Sequence, residues 1–245
     1  MNTVLSLIIM IRLNSLKKDN NYIIADYIIA HLNEIPYKSI KQLSEDCFVS
    51  TTSILKFCKL LGINTYSEFK NMLVSTIKTR KIQLYDKNKE LNAKDILRHI
   101  SSFSFDNVDI EKLEKEINQV ILQIKKYKAV HIYGATFPLA LASSFIEDMA
   151  LSGIYINTYQ DNYEISKIEE YPGVHIVITL SGRFMEVNKN DYMQITSLSY
   201  PSVLITRKTR NKGNVDYCIE LPCTVSSQYD EVIILLLFDY ILLQI

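Results

Sequence analysis

The sequence predicts two folds in one chain. An all-α N-terminal domain built on a helix-turn-helix comes first, and an α/β three-layer domain with a doubly wound, parallel five-stranded sheet follows. Three observations predict this. Up to about position 81, apolar residues recur at three- and four-residue steps with short connections and no strand alternation. From 82 to 109 the chain turns polar, as a linker does. After Lys128, short β-branched runs alternate with helical segments, the pattern of parallel strands covered on both faces.

Taken in order, helices are expected at 4–12, 22–31, 39–47, 50–61 and 66–81. One short helix fits 93–100 inside the linker, and a longer one fits 108–128. The latter carries Ile110, Leu113, Ile117, Val120, Ile121 and Ile124 on one stripe, wider than a small domain needs and suited to joining two copies of the chain. Strands are expected at 129–133, 155–158, 174–179, 202–206 and 217–221, separated by helices at 139–152, 165–170, 184–197 and finally 230–244. The domains are therefore 1–81 and 110–245, with 82–109 between them.

Composition narrows the function classes. With 48% apolar and 22% charged residues, the 245-residue chain is an ordinary globular protein. Its zero net charge is uneven: up to Tyr85 eleven Lys and Arg face six Asp and Glu, and the remainder, 16 basic and 21 acidic, reverses the sign. A basic N-terminal part suits a polyanion. Cys47, Cys58, Cys218 and Cys223 show no C-x-x-C spacing and the four histidines are isolated, so neither metal nor cofactor is expected. The apolar runs 4–11 and 232–238 are too short to cross a bilayer. The expectation is a cytoplasmic protein with reduced thiols.

The helix-turn-helix is read from spacing. Ser39-Ile40-Lys41-Gln42 is a capping box, and Cys47-Phe48-Val49 separates its helix from Ser50, a second N-cap. In the second helix Ile54, Phe57, Cys58 and Leu61 form an apolar back, with Thr52, Lys56 and Lys59 opposite. Such a helix suits a major groove, hydroxyls reaching base edges and lysines reaching phosphates. The candidate DNA-binding residues are Ser50, Thr51, Thr52, Ser53, Lys56 and Lys59. A small helical bundle with a solvated lysine face shows the same spacing.

The stretches Ala25-Asp26-Tyr27-Ile28, Ser39-Ile40-Lys41-Gln42-Leu43-Ser44, Val49 to Gly62 and Tyr66-Ser67-Glu68-Phe69-Lys70 resemble the N-terminal domain of the RpiR-type regulators. Against that pattern Lys56 and Lys59 replace two arginines, which keeps charge but gives up bidentate guanine recognition. Phe48 replaces the turn glycine, so either the turn is rebuilt or a left-handed Phe costs about 1–2 kcal/mol.

In the second half, strand 129–133 runs into Gly134-Ala135-Thr136-Phe137-Pro138, and strand 174–179 into Leu180-Ser181-Gly182-Arg183. A strand, a short Gly- and hydroxyl-bearing loop and a helix N-terminus form a phosphate site, although many α/β proteins carry such turns for steric reasons alone. Loops and element order resemble the sugar isomerase (SIS) domain, the usual partner of the RpiR-type helices. The resemblance implies a phosphosugar site at Gly134, Thr136, Thr179, Ser181, Gly182 and Arg183. Phe184 stands where the family keeps a hydroxyl, and Asp230 and Glu231 replace a family S-R-x-x-Q segment before the last helix, adding repulsion towards an anion if they face the pocket.

The expectation is a regulator, homodimeric or homotetrameric, that binds a double-stranded DNA operator and senses a phosphosugar-like effector. Two alternatives stand beside it: a phosphosugar isomerase with an accessory helical domain, and a regulator whose SIS domain is a dimerisation scaffold. Glu186, Glu231 and His175 are the acids and bases an isomerase would draw on, yet none sits in a catalytic pattern, so no catalytic residue is assigned.

Overall fold

The computed structural model describes residues 3–15, 17–90, 92–105, 107–134, 139, 141–160, 171–207 and 212–245. They fall into two compact units, Met1–Lys89 with Ile146–Tyr155, and Glu90–Phe145 with Ile156–Ile245.

The helical unit contains α1 (Thr3–Asn14), α2 (Asn20–Ala30), a 3₁₀ turn (Ile35–Tyr37), α3 (Ile40–Asp46), α4 (Thr51–Leu60) and α5 (Tyr66–Glu90). Side chains start the helices: Asp19 accepts from Tyr22 N, Ser39 and Gln42 form the expected capping box, and Ser50 accepts from Ser53 N. Leu5, Ile8, Ile24, Ile28, Leu43, Ile54, Phe57, Phe69 and Leu73 form the core. Helix α5 runs on to Glu90, so 82–90, expected to open a linker, continues the helix.

Residues 146–155 join this unit through polar contacts. Arg80 grips Asp148 with two bonds, Nε to Oδ1 at 2.7 Å and Nη2 to Oδ2 at 2.9 Å. Tyr155 donates to Asp26 at 2.8 Å, where Arg12 Nε also binds at 2.6 Å. Ser6 donates to Glu147, whose carboxyl is pushed above the usual carboxylate range by burial.

The α/β unit contains α6 (Ala93–Ser102), α7 (Ile110–Tyr127), β1 (Ala129–Gly134), the start of α8 (Ser143–Leu151, most of which belongs to the helical unit), β2 (Tyr155–Gln160), β3 (Val174–Ile178), α9 (Arg183–Val187), α10 (Lys189–Thr196), β4 (Ser202–Thr206), β5 (Tyr217–Glu220) and α11 (Tyr229–Leu243). The sheet runs β2-β1-β3-β4-β5. β1 with β3, β3 with β4 and β4 with β5 pair in parallel, with Gly134 opposite Ile178. Strands buried along their length explain the near-continuous β-branched runs. The helix expected at 165–170 lies outside the described residues.

One expectation is corrected. The α7 stripe Leu113, Ile117, Val120, Ile121 and Ile124 is buried against β1, β3 and β5 of its own chain. A parallel sheet needs cover on both faces, and this stripe supplies it, so it is not free to join a second copy.

Candidate functional site

The turn between α3 and α4 takes a left-handed residue without a glycine to supply it. Phe48 sits at φ 54°. Its N–H donates to Glu45 O at 3.1 Å, and Val49 N donates to Ser44 O at 2.9 Å. These two bonds close a helix end around one left-handed residue, so the turn cannot be rebuilt without losing them. The same pair of bonds closes α4 around Gly62 at φ 77°, where glycine takes the conformation without strain. Phe48 is 96% exposed, so no packing offsets its cost.

Helix α4 is two-faced as expected. Ile54, Phe57 and Cys58 are buried, while Thr51, Thr52, Lys56 and Lys59 are exposed. Among the described residues neither Lys56 nor Lys59 has an ion-pair partner, whereas Lys38 is held by Asp46 at 2.8 Å and Glu34 at 3.6 Å. Ser50 and Ser53 stand at the helix start but are already engaged. Their hydroxyls lie 3.0 Å apart, Ser50 caps the helix, and Ser53 accepts from Asn20 Nδ2 at 3.4 Å. Among the described residues, four of the six candidates therefore carry polar groups with no partner, and two build the helix that presents them. Spacing gives no sign of the 17–20 loop, which Asn20 brings beside α4 from far back in the sequence.

In the α/β unit, the strand order reverses between β1 and β3, and a ligand crevice of such a sheet opens at the C-terminal ends of those two strands. Gly134 ends β1 there. A side chain on it would lie 2.9 Å from Ile178 O, so only glycine lets the two strand ends approach so closely. Thr136 lies outside the described residues. Thr179, Ser181, Gly182 and Arg183 follow β3. Gly182 is left-handed at φ 76°, which turns the chain into α9, a helix of only five residues.

These loop residues differ in what they leave available. Thr179 is buried and its hydroxyl accepts from Phe184 N at 3.2 Å, capping α9. Ser181 is exposed, with Arg183 N donating to it at 3.3 Å, and Arg183 is also exposed. Phe184 is part of the core. It is 5% exposed and packs with Tyr133, Tyr159, Val177, Tyr192, Ile195 and Leu204 beneath α9 and α10. Putting a hydroxyl at 184 would therefore place a polar group in the core. Asp230 is likewise no free anion: its Oδ1 accepts from Arg207 Nη1 at 2.9 Å and from the Thr224 hydroxyl at 2.6 Å.

The bases an isomerase would use are committed or misplaced. His175 is the second residue of β3, at the end of the strand away from the crevice. Tyr133 and the carbonyl of Tyr171 occupy its two ring nitrogens at 2.9 and 3.1 Å, and His131 stacks on it with centroids 4.7 Å apart. Burial holds the His175 imidazole below its ordinary value, so it stays neutral. Glu186 and Glu231 are exposed.

Comparison with known proteins agrees with the geometry of the first half. Residues 4–80 match the model of the helix-turn-helix domain, rpiR family, and the helical unit carries a domain of that family. No curated protein matches the chain. Among solved structures, the Vibrio vulnificus NanR protein complexed with ManNAc-6P is similar over 96% of this chain and 89% of its own, at 14% identity and a TM-score of 0.43. Among the described residues no helix is long and apolar enough to cross a membrane.

Proposed function

We propose that this chain, with a helix-turn-helix domain of the rpiR family as its premise, is a DNA-binding transcription regulator whose α/β unit responds to a small phosphorylated metabolite. The observation that carries the first part is the exposed Thr51, Thr52, Lys56 and Lys59 face. It sits on a helix whose back is buried and whose lysines have no acidic partner among the described residues. Unpaired cations on a helix about the width of the major groove suit phosphates, and threonine hydroxyls suit base edges. Selecting duplexes from a random pool with the purified chain tests it. An enriched site, bound more weakly as salt rises, is expected; no enrichment and no salt-dependent binding would sink the reading.

The second part rests on the crevice between β1 and β3, where Gly134 lets the strand ends approach closely and the loop 179–183 presents the Ser181 hydroxyl and the exposed Arg183. The ligand this suits is a sugar phosphate bound through its phosphate group. A thermal-shift screen of sugar phosphates and amino-sugar phosphates checks it, because a ligand of the native state raises its melting temperature. One observation favours a second reading, a unit that only scaffolds the assembly: Thr179 and Phe184 are spent on the fold. A flat screen supports that reading. The positions of His175, Glu186 and Glu231 support a non-catalytic role in either case.

A further inference from the structure

We propose that the loop 17–20 is a second DNA-contacting element, a clamp for the phosphate backbone that walls the groove beside α4; this rests on α4 being the recognition helix. Setting the buried Ile54 at zero on α4, with about 100° per residue, puts Thr52, Lys56 and Lys59 within about 40° of the opposite pole. Ser53 falls about 80° to the side of that pole. It is Ser53 that Asn20 holds, Nδ2 to Oγ at 3.4 Å, so the loop lies along one flank of the reading face.

What lies on a flank is decided by size. An α-helix with its side chains is about 10–12 Å across and the major groove about 12 Å wide, so the helix fills the groove. Groups beside the helix then meet the sugar–phosphate wall, not base edges. The loop is built for that. Lys17 and Lys18 are exposed, and among the described residues neither has an ion-pair partner. The one acid beside them, Asp19, is turned to cap α2 through Tyr22 N at 2.9 Å, and a bond from Asp19 N to Lys17 O at 2.8 Å shapes the turn. Lys38 and Lys41, by contrast, are neutralised by Glu34, Asp46 and Glu45. Lysines 17, 18, 56 and 59 thus have no ion-pair partner among the described residues, two of them on α4 and two on the loop that Asn20 ties to it. A lysine ammonium is a point charge without a planar fork, which suits phosphate and carries no base readout. The clamp strengthens binding to any duplex and leaves sequence preference to α4.

The full chain and a 30-base-pair duplex of random sequence provide the test, with dissociation constants taken by anisotropy over a range of salt. Lys17→Ala with Lys18→Ala should lower the slope of log K against log salt by about 1.8, at about 0.9 for each phosphate no longer neutralised. The melting temperature should not move. Lys125→Ala with Lys126→Ala removes the same charge from α7 in the other unit and should leave the slope unchanged. An unchanged slope in the 17/18 variant, or an equal fall in the 125/126 variant, overturns the clamp. A wild-type chain that binds no duplex overturns the recognition helix as well. A slope that falls for Lys56→Ala with Lys59→Ala but not for the 17/18 pair removes the clamp alone.

Discussion

The exposed Thr and Lys face of α4 and the crevice between β1 and β3 carry comparable sequence motifs, yet the structure treats them differently. On α4, the residues that spacing turns outward are outward: Thr52, Lys56 and Lys59 are exposed above a buried Ile54, Phe57 and Cys58. At the crevice, Thr179 is turned into a cap for α9, Phe184 into core, and Asp230 into a partner for Arg207. A single helix fixes its own faces by its period, so one local rule places all its side chains at once. A crevice is assembled from loops that meet only after the strands pair. Each loop residue there can serve the fold or the ligand, and a motif does not say which.

Four variants sharpen or break that contrast, from the largest effect down. Phe184→Thr puts the family's hydroxyl back at 184, but the side chain it replaces is core. The exchange should cost about 3–5 kcal/mol in urea denaturation, as other buried Phe truncations do, with no gain in sugar-phosphate binding. A variant as stable as wild type with tighter binding would show that the motif, not the packing, is the better guide. Lys56→Ala with Lys59→Ala should weaken duplex binding by on the order of 2 kcal/mol and flatten its salt dependence by about two units of slope. An unchanged slope would remove α4 as the reading helix and erase the contrast from its other side.

Ser181→Ala is the corresponding probe of the crevice. Its exposed hydroxyl is, beside the Arg183 guanidinium, a side-chain donor left in the described loop, so the change should cost about 1–2 kcal/mol, close to tenfold in the dissociation constant of whichever sugar phosphate the screen returns. Identical affinity would place the phosphate elsewhere. Phe48→Gly is the smallest and has the opposite sign. Relieving a left-handed Phe gains about 1–2 kcal/mol, and glycine's extra backbone entropy takes back about 0.5–1. A net gain of up to about 1.5 kcal/mol in the melting of the helical unit is expected. A loss would mean that Phe48 packs on something the chain alone does not provide.

Much of this is legible before folding. The capping box at Ser39 and Gln42, the N-cap at Ser50 and the apolar back of α4 are set by neighbours within four residues, and each stands where its spacing puts it. The same holds for β1, β3 and β4, whose runs of Val and Ile are buried on both faces and leave no alternation to misread. The helix break at Asn188, which divides the expected 184–197 helix into α9 and α10, carries no Pro or Gly to mark it. The α7 stripe is legible as a stripe but not in its destination, because an apolar face looks the same whether a sheet or a second copy covers it.

What the sequence by itself determined is the identity of the elements and the sense of each face, since helix and strand periods act over a few residues. What only the tertiary structure decided is which polar groups stay free. Asn20 reaches Ser53 from 33 positions away, Arg80 reaches Asp148 from 68, and Arg207 reaches Asp230 from 23. A hydrogen bond or ion pair between distant residues is fixed by how elements pack, and burial makes an unpaired polar group costly enough to dictate the pairing. That is why the exposed face of α4 could be drawn from the residues alone, and why the loop that Asn20 ties beside it and the spent residues of the crevice could not.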